Sequence, residues 1–117
     1  MQPLIAMKKL FLLLLLIPNL VMAEVWKCNY NEVSGYLLPP ESSIVSYSRT
    51  ESGFYDDLDG MTHSIVSEDE RGILLSVHQE SAWIMTNFID KETRNIKETM
   101  ISRFSILSKS GTCKLIK

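Results

Sequence analysis

Apolar and polar positions fall into two regimes along this chain. Leu10 to Ile17 is an unbroken apolar run, preceded by Lys8 and Lys9 and broken by Pro18 and Asn19. Past residue 23 the pattern becomes the period-two alternation of β-strands. Ile44, Ser46 and Ser48 alternate with Val45, Tyr47 and Arg49. Ile73 to Gln79 forms an apolar-rich strand opened by Gly72, and Ala82 to Ile89 forms another, with Trp83, Met85 and Asn87 opposed to Ile84, Thr86 and Phe88. The short Gln79-Glu80-Ser81 link between them predicts an antiparallel hairpin.

After a polar turn over residues 90–95, Ile96, Glu98, Met100, Ser102, Phe104 and Ile106 share one face of the next strand. That alternation is impure. Ile96, Met100 and Phe104 also lie four apart, which fits a helix; the turn before them and the β-rich surroundings favour strand. Ser108 to Thr112 reads as a turn into a short last strand, Cys113 to Ile116. Pro39-Pro40 excludes a central strand nearby. The expected fold is all-β: an antiparallel meander of six to eight strands, a small partial barrel or sandwich.

The leader changes the composition. A basic start, a short apolar run and Val21 and Ala23 before Glu24 make a secretory signal peptide over residues 1–23, an expected helix removed by cleavage. Its apolar run is far shorter than the roughly 20 residues that span a bilayer. Met7-Lys8-Lys9 is the better start, and Val25-Trp26-Lys27-Cys28 does not resemble a lipobox. Residues 1–23 hold 17 of the 53 hydrophobic residues, leaving 36 in the 94-residue domain 24–117. That domain carries 10 basic and 14 acidic residues, a net charge of −4. These values exclude a multidomain enzyme, a polytopic membrane protein and a strongly basic nucleic-acid binder. No stable membrane span is expected after cleavage.

Cys28 and Cys113, the two cysteines, stand five residues from each end of that domain. In an exported protein such a pair reads as a disulfide, here tying the first strand to the last. Trp26, two residues before Cys28, falls on the same strand face and packs with it.

The candidate chemistry is sparse. Residues 49–70 carry a net charge of −6 and residues 71–117 a net charge of +4. The acidic stretch reads as solvated loop paired with the basic half, or as a face for a basic partner. Placing Gly60 at position six of a calcium loop puts Tyr55 at position one and Val66 at position twelve, both wrong; Asp59-Gly60 is a better hairpin turn. Asp56 and Asp57 point to opposite faces if their segment is a strand, which disfavours a two-acid site. His63 and His78 lack the spacing of metal ligands and read as strand residues at a surface or core edge. No GxSxG elbow or glycine-rich phosphate cradle occurs. The aromatic residues Trp26, Tyr30, Tyr36, Tyr47, Phe54, Tyr55 and Trp83 are read as core, against a pocket lining. No catalytic residue, cofactor or metal is expected.

Two resemblances add to these readings. Val25-Trp26-Lys27-Cys28, Phe88-Ile89-Asp90-Lys91-Glu92-Thr93 and Gly111-Thr112-Cys113 together resemble small exported bacterial β-proteins with a Trp-x-Cys opening, a hairpin turn and a Gly-Thr-Cys close. The resemblance implies a β-meander closed by one disulfide and assigns no activity. Arg94 stands where that turn usually has glycine. Ser52-Gly53-Phe54-Tyr55 resembles, one residue short, the loop that periplasmic inhibitors of c-type lysozyme present to the enzyme. The expected function is therefore a non-enzymatic binding or interaction domain, periplasmic or secreted. The alternative is an inhibitor of a secreted hydrolase, meeting a basic extracytoplasmic protein through Ser52, Gly53, Phe54, Tyr55, Asp56, Asp57 and Asp59.

Overall fold

The computed structural model describes residues 24–39 and 43–116. The signal-peptide helix expected over residues 1–23 lies outside the described residues. Those described form nine strands: β1 (Val25–Val33), β2 (Tyr36–Leu37), β3 (Ile44–Thr50), β4 (Gly53–Asp56), β5 (Thr62–Glu68), β6 (Gly72–Gln79), β7 (Trp83–Asp90), β8 (Asn95–Ser102) and β9 (Ile106–Leu115). All pairings are antiparallel, and β3 to β9 follow one another in chain order. β1 pairs with β3 on one edge and β9 on the other, which closes an eight-stranded barrel and leaves β2 as an extra strand. Closure removes the free sheet edges that invite aggregation.

The strand alternation decides what is inside. Trp26, Cys28 and Tyr30 on β1 are buried while Lys27 is exposed, and Val45 and Tyr47 on β3 are buried. Phe54, Ile73, Leu75, Ile89 and Ile96 complete a continuous core with Cys28 and Cys113. Trp26 and the disulfide share this core, as the two-residue spacing predicts.

Residues 95–102 are strand, not helix, and Met85, Asn87 and Ile89 form the inner face of β7. Two expectations are corrected. Phe104 and Ile106 do not continue the face that Ile96 and Glu98 share on β8: the chain bends at residues 103–104, the Phe104 ring is 90% exposed, and Ile106 opens β9. Residues 108–112 are not a turn, because β9 runs unbroken from Ile106 to Leu115. Gly111 serves close approach instead. A Cβ there would overlap the Asn29 carbonyl oxygen on β1, so only glycine lets the seam close at this point.

The two barrel ends differ in character. The registers place Glu24, Ile116 and the turns around residues 51–52, 69–71 and 91–94 at one end. Arg49 pairs there with Glu24 and Glu68, and Lys91 pairs with Glu68. The other end carries the turns after β1, β4, β6 and β8, fringed by exposed Tyr36, Leu37, Leu58, Phe104 and Ile106.

Candidate functional site

Interior positions of a small barrel are filled by side chains, and most here are apolar. Four inward positions are not: Asp56, His63, Asn87 and Glu98 are all buried. A buried polar group costs free energy unless it is hydrogen-bonded. These four are tied into two groups that share the barrel interior with Tyr30 and Tyr47.

The first group is Asp56 with His63. Asp56 Oδ2 lies 2.5 Å from His63 Nε2, and Asp56 Oδ1 accepts from the Asp59 backbone N–H at 2.6 Å. One carboxylate thus orients the imidazole and shapes the β4–β5 turn, where Gly60 takes φ 69°. His63 Nδ1 is buried without a partner among the described residues. The rings of His63 and Tyr47 meet edge to face at 5.7 Å. An imidazole held by a carboxylate is half of a nucleophile-activating arrangement. No serine or cysteine among the described residues is hydrogen-bonded to it, and both cysteines are in the disulfide.

The second group crosses the barrel. The Tyr30 and Tyr47 hydroxyls lie 2.7 Å apart. Asn87 Nδ2 donates to Tyr30 Oη at 3.0 Å, to Glu98 Oε1 at 2.9 Å and, less directly, to Tyr47 Oη at 3.4 Å. Glu98 Oε2 lies 3.7 Å from Lys109 Nζ, which sits 5.6 Å from the Tyr30 ring centroid. Burial raises the Tyr30 and Tyr47 hydroxyl pKa values above the usual tyrosine range; the Glu98 charge adds to the effect at Tyr30, and the neighbouring tyrosine adds to it at Tyr47. Asn87 Oδ1 has no hydrogen-bond partner among the described residues.

The segment singled out for partner binding is not one loop. Ser52 is in the β3–β4 turn, Gly53, Phe54, Tyr55 and Asp56 are strand β4, and Asp57 and Asp59 are in the β4–β5 turn at the opposite barrel end. Phe54 and Asp56 point inward, so only Ser52, Tyr55, Asp57 and Asp59 present side chains outside. Gly53 holds φ 145°, and a Cβ there would overlap the His63 carbonyl. The Ser-Gly pair is therefore a packing solution in this barrel.

Several acids of residues 49–70 have structural work. Asp57 Oδ1 accepts from the Ser46 backbone, and Asp69 Oδ1 accepts from Arg71 and Gly72. Arg49 holds the Glu68 carboxyl below its usual range, and the Arg71 and Gly72 amides do the same for Asp69. Of the aromatic residues, Trp26, Tyr30, Tyr47 and Phe54 are core, whereas Tyr36 and Tyr55 are exposed and Trp83 is half-buried. His78 is on the surface. No group of three or more potential metal ligands is assembled among the described residues.

Sequence reasoning did not assemble the Tyr30–Tyr47–Asn87–Glu98 group. Its signal was present as impurity: Asn87 and Glu98 each occupy an inward position of an otherwise apolar face.

No family model, curated protein or solved structure matches this chain.

Proposed function

We propose that this protein is an exported, non-enzymatic binding domain that recognises another protein through the apolar end of its barrel. One observation carries the proposal. Ile84, Ile101 and Ile106 are cross-strand partners on β7, β8 and β9, and all three face outward and exposed beside Phe104. A contiguous outward apolar row of this kind marks an interaction surface more often than scattered single residues do.

Charge favours a protein over a lipid surface. Glu32, Asp57, Asp59 and Glu80 lie near this end against Lys97, Arg103 and Lys109, a net acidic balance that anionic lipid would repel and a basic protein would complement. The interior polar residues tie to one another, which fits recognition at the surface. The disulfide in a small barrel fits an oxidising compartment, and the leader pattern makes the periplasm the proposed location. Inhibition of a secreted hydrolase is a narrower form of the same proposal, carried by this rim in place of the residue 52–59 segment.

The test places a photo-crosslinking residue at position 104 or, at the charged end, at position 51, in the producing cell. A discrete protein adduct is expected from position 104 alone. It should disappear on Ile101→Asp while the melting temperature is held. Adducts from both ends, or none from position 104, would overturn the surface assignment. Recovery of the protein with the cytoplasm would overturn the export.

A further inference from the structure

We propose that Lys109 and Asn87 become joined by an intramolecular amide bond, with Glu98 relaying the proton. The three residues stand in one row on consecutive strands. Asn87 on β7 is the register partner of Glu98 on β8, and Glu98 is the partner of Lys109 on β9. Two strand spacings separate Asn87 from Lys109, roughly 10 Å between backbones. The four-carbon lysine stem bridges much of that distance, and side chains converge on the concave side of a barrel.

Glu98 is hydrogen-bonded to one reacting nitrogen and ion-paired with the other. Its Oε1 accepts from Asn87 Nδ2 at 2.9 Å, and its Oε2 lies 3.7 Å from Lys109 Nζ. One oxygen is on the leaving nitrogen and the other faces the nucleophile. That is the placement a carboxyl needs to take a proton from one and give it to the other. Lys109 reaches in from the rim, its side chain partly exposed, toward the buried Glu98 carboxylate.

The steps balance. Glu98 takes a proton from the Lys109 ammonium, and the freed Nζ attacks Asn87 Cγ. The Nζ–Cγ bond forms as the Cγ–Nδ2 bond breaks. The carboxyl delivers its proton to Nδ2, which leaves as ammonia, and the second Nζ proton follows. The sum is lysine ammonium plus carboxamide giving secondary amide plus ammonium, with no oxidation or reduction. The product would staple β7 to β9 across β8, as the disulfide staples β9 to β1.

Tryptic peptide mapping of the exported, reduced and denatured protein tests the proposal. A branched species is expected that joins residues 72–91 to residues 104–114. It should be uncleaved at Lys109 and lighter than the two peptides together by about 17 Da, one ammonia. Lys109→Arg keeps the charge but cannot form the amide, and gives the linear reference. Glu98→Gln should fold and yield linear peptides. Complete cleavage at Lys109 in the wild-type protein would overturn the proposal. So would a bridge lighter by about 18 Da, one water, between Lys109 and Glu98. A branched species persisting in Glu98→Gln would overturn the relay.

Discussion

Cys28 on β1 and Cys113 on β9 are direct register partners with Cα atoms 4.0 Å apart, so the disulfide lies across the strand pair that closes the barrel. Every other pairing joins strands next to each other, or one removed, in chain order. The β1–β9 seam alone brings together the two ends of the domain, and it bears the largest loop-closure entropy. With 85 residues of separation, the cross-link should contribute up to about 4–5 kcal/mol by restricting the unfolded chain. Urea unfolding of the oxidised protein against Cys28→Ala/Cys113→Ala should show a loss of that order. A loss under about 1 kcal/mol would mean that the unfolded chain keeps its ends together without the bond.

Arg94 holds φ 65°, a left-handed conformation that disfavours side chains with a Cβ. Its guanidinium lies 5.0 Å from the Trp26 ring centroid, and its carbonyl accepts from the Cys113 backbone N–H. The cation–π contact offsets backbone strain, each of order 1 kcal/mol. Arg94→Gly should therefore change stability little, because it removes both. Arg94→Ala keeps the strain, loses the contact and should be about 1 kcal/mol less stable than Arg94→Gly. Denaturation midpoints of the two variants decide this; equal midpoints would remove strain from the account.

Among the described residues, Asp56 alone is hydrogen-bonded to the His63 ring, and it also ties the β4–β5 turn through Asp59. Asp56→Ala leaves a buried imidazole with neither ring nitrogen satisfied and should cost about 3 kcal/mol or more. Asp56→Asn retains a hydrogen-bonding side chain of the same size and should cost clearly less. Thermal unfolding of both variants provides the measurement.

The legible parts of the fold were those where one physical cause dominated. Ile73 to Gln79 is apolar-rich and residues 44–49 alternate, and both are strands, with Val45 and Tyr47 on the buried face of theirs. β9 was misread because Gly111 signals a turn when considered locally. Its cause is the Asn29 carbonyl on a strand more than 80 residues earlier in the chain. Periodicity carries the face of Ile96 and Glu98 on to Phe104 because it does not locate the bend that ends β8. Barrel closure was legible only through the cysteine pair, which ties the first strand to the last; which residues meet along the seam was not. Asn87 and Glu98 looked like noise in an apolar face. They become a group only when the barrel sets them opposite Tyr30 and Tyr47.

Stability should fall at both pH extremes, through different residues. Burial raises the Tyr30 and Tyr47 pKa values, so the folded state favours their protonated forms. Unfolded tyrosine ionises near pH 10, so their contribution is full below about pH 10 and falls as pH rises beyond it. Glu68 behaves oppositely, because Arg49 and Lys91 lower its folded pKa. Its contribution is full above the ordinary glutamate value of about 4.3 and is lost as pH falls through the lower folded value. The carboxylate is partly exposed, so about 1 kcal/mol is the expected scale. Urea midpoints measured from pH 2 to 11 should form a plateau with two falling limbs. Glu68→Gln should flatten the acid limb alone. Absorbance of tyrosinate should show Tyr30 and Tyr47 ionising only as the barrel unfolds. Their ionisation within a still-folded barrel would mean that the Tyr30–Tyr47–Asn87 group is open to solvent.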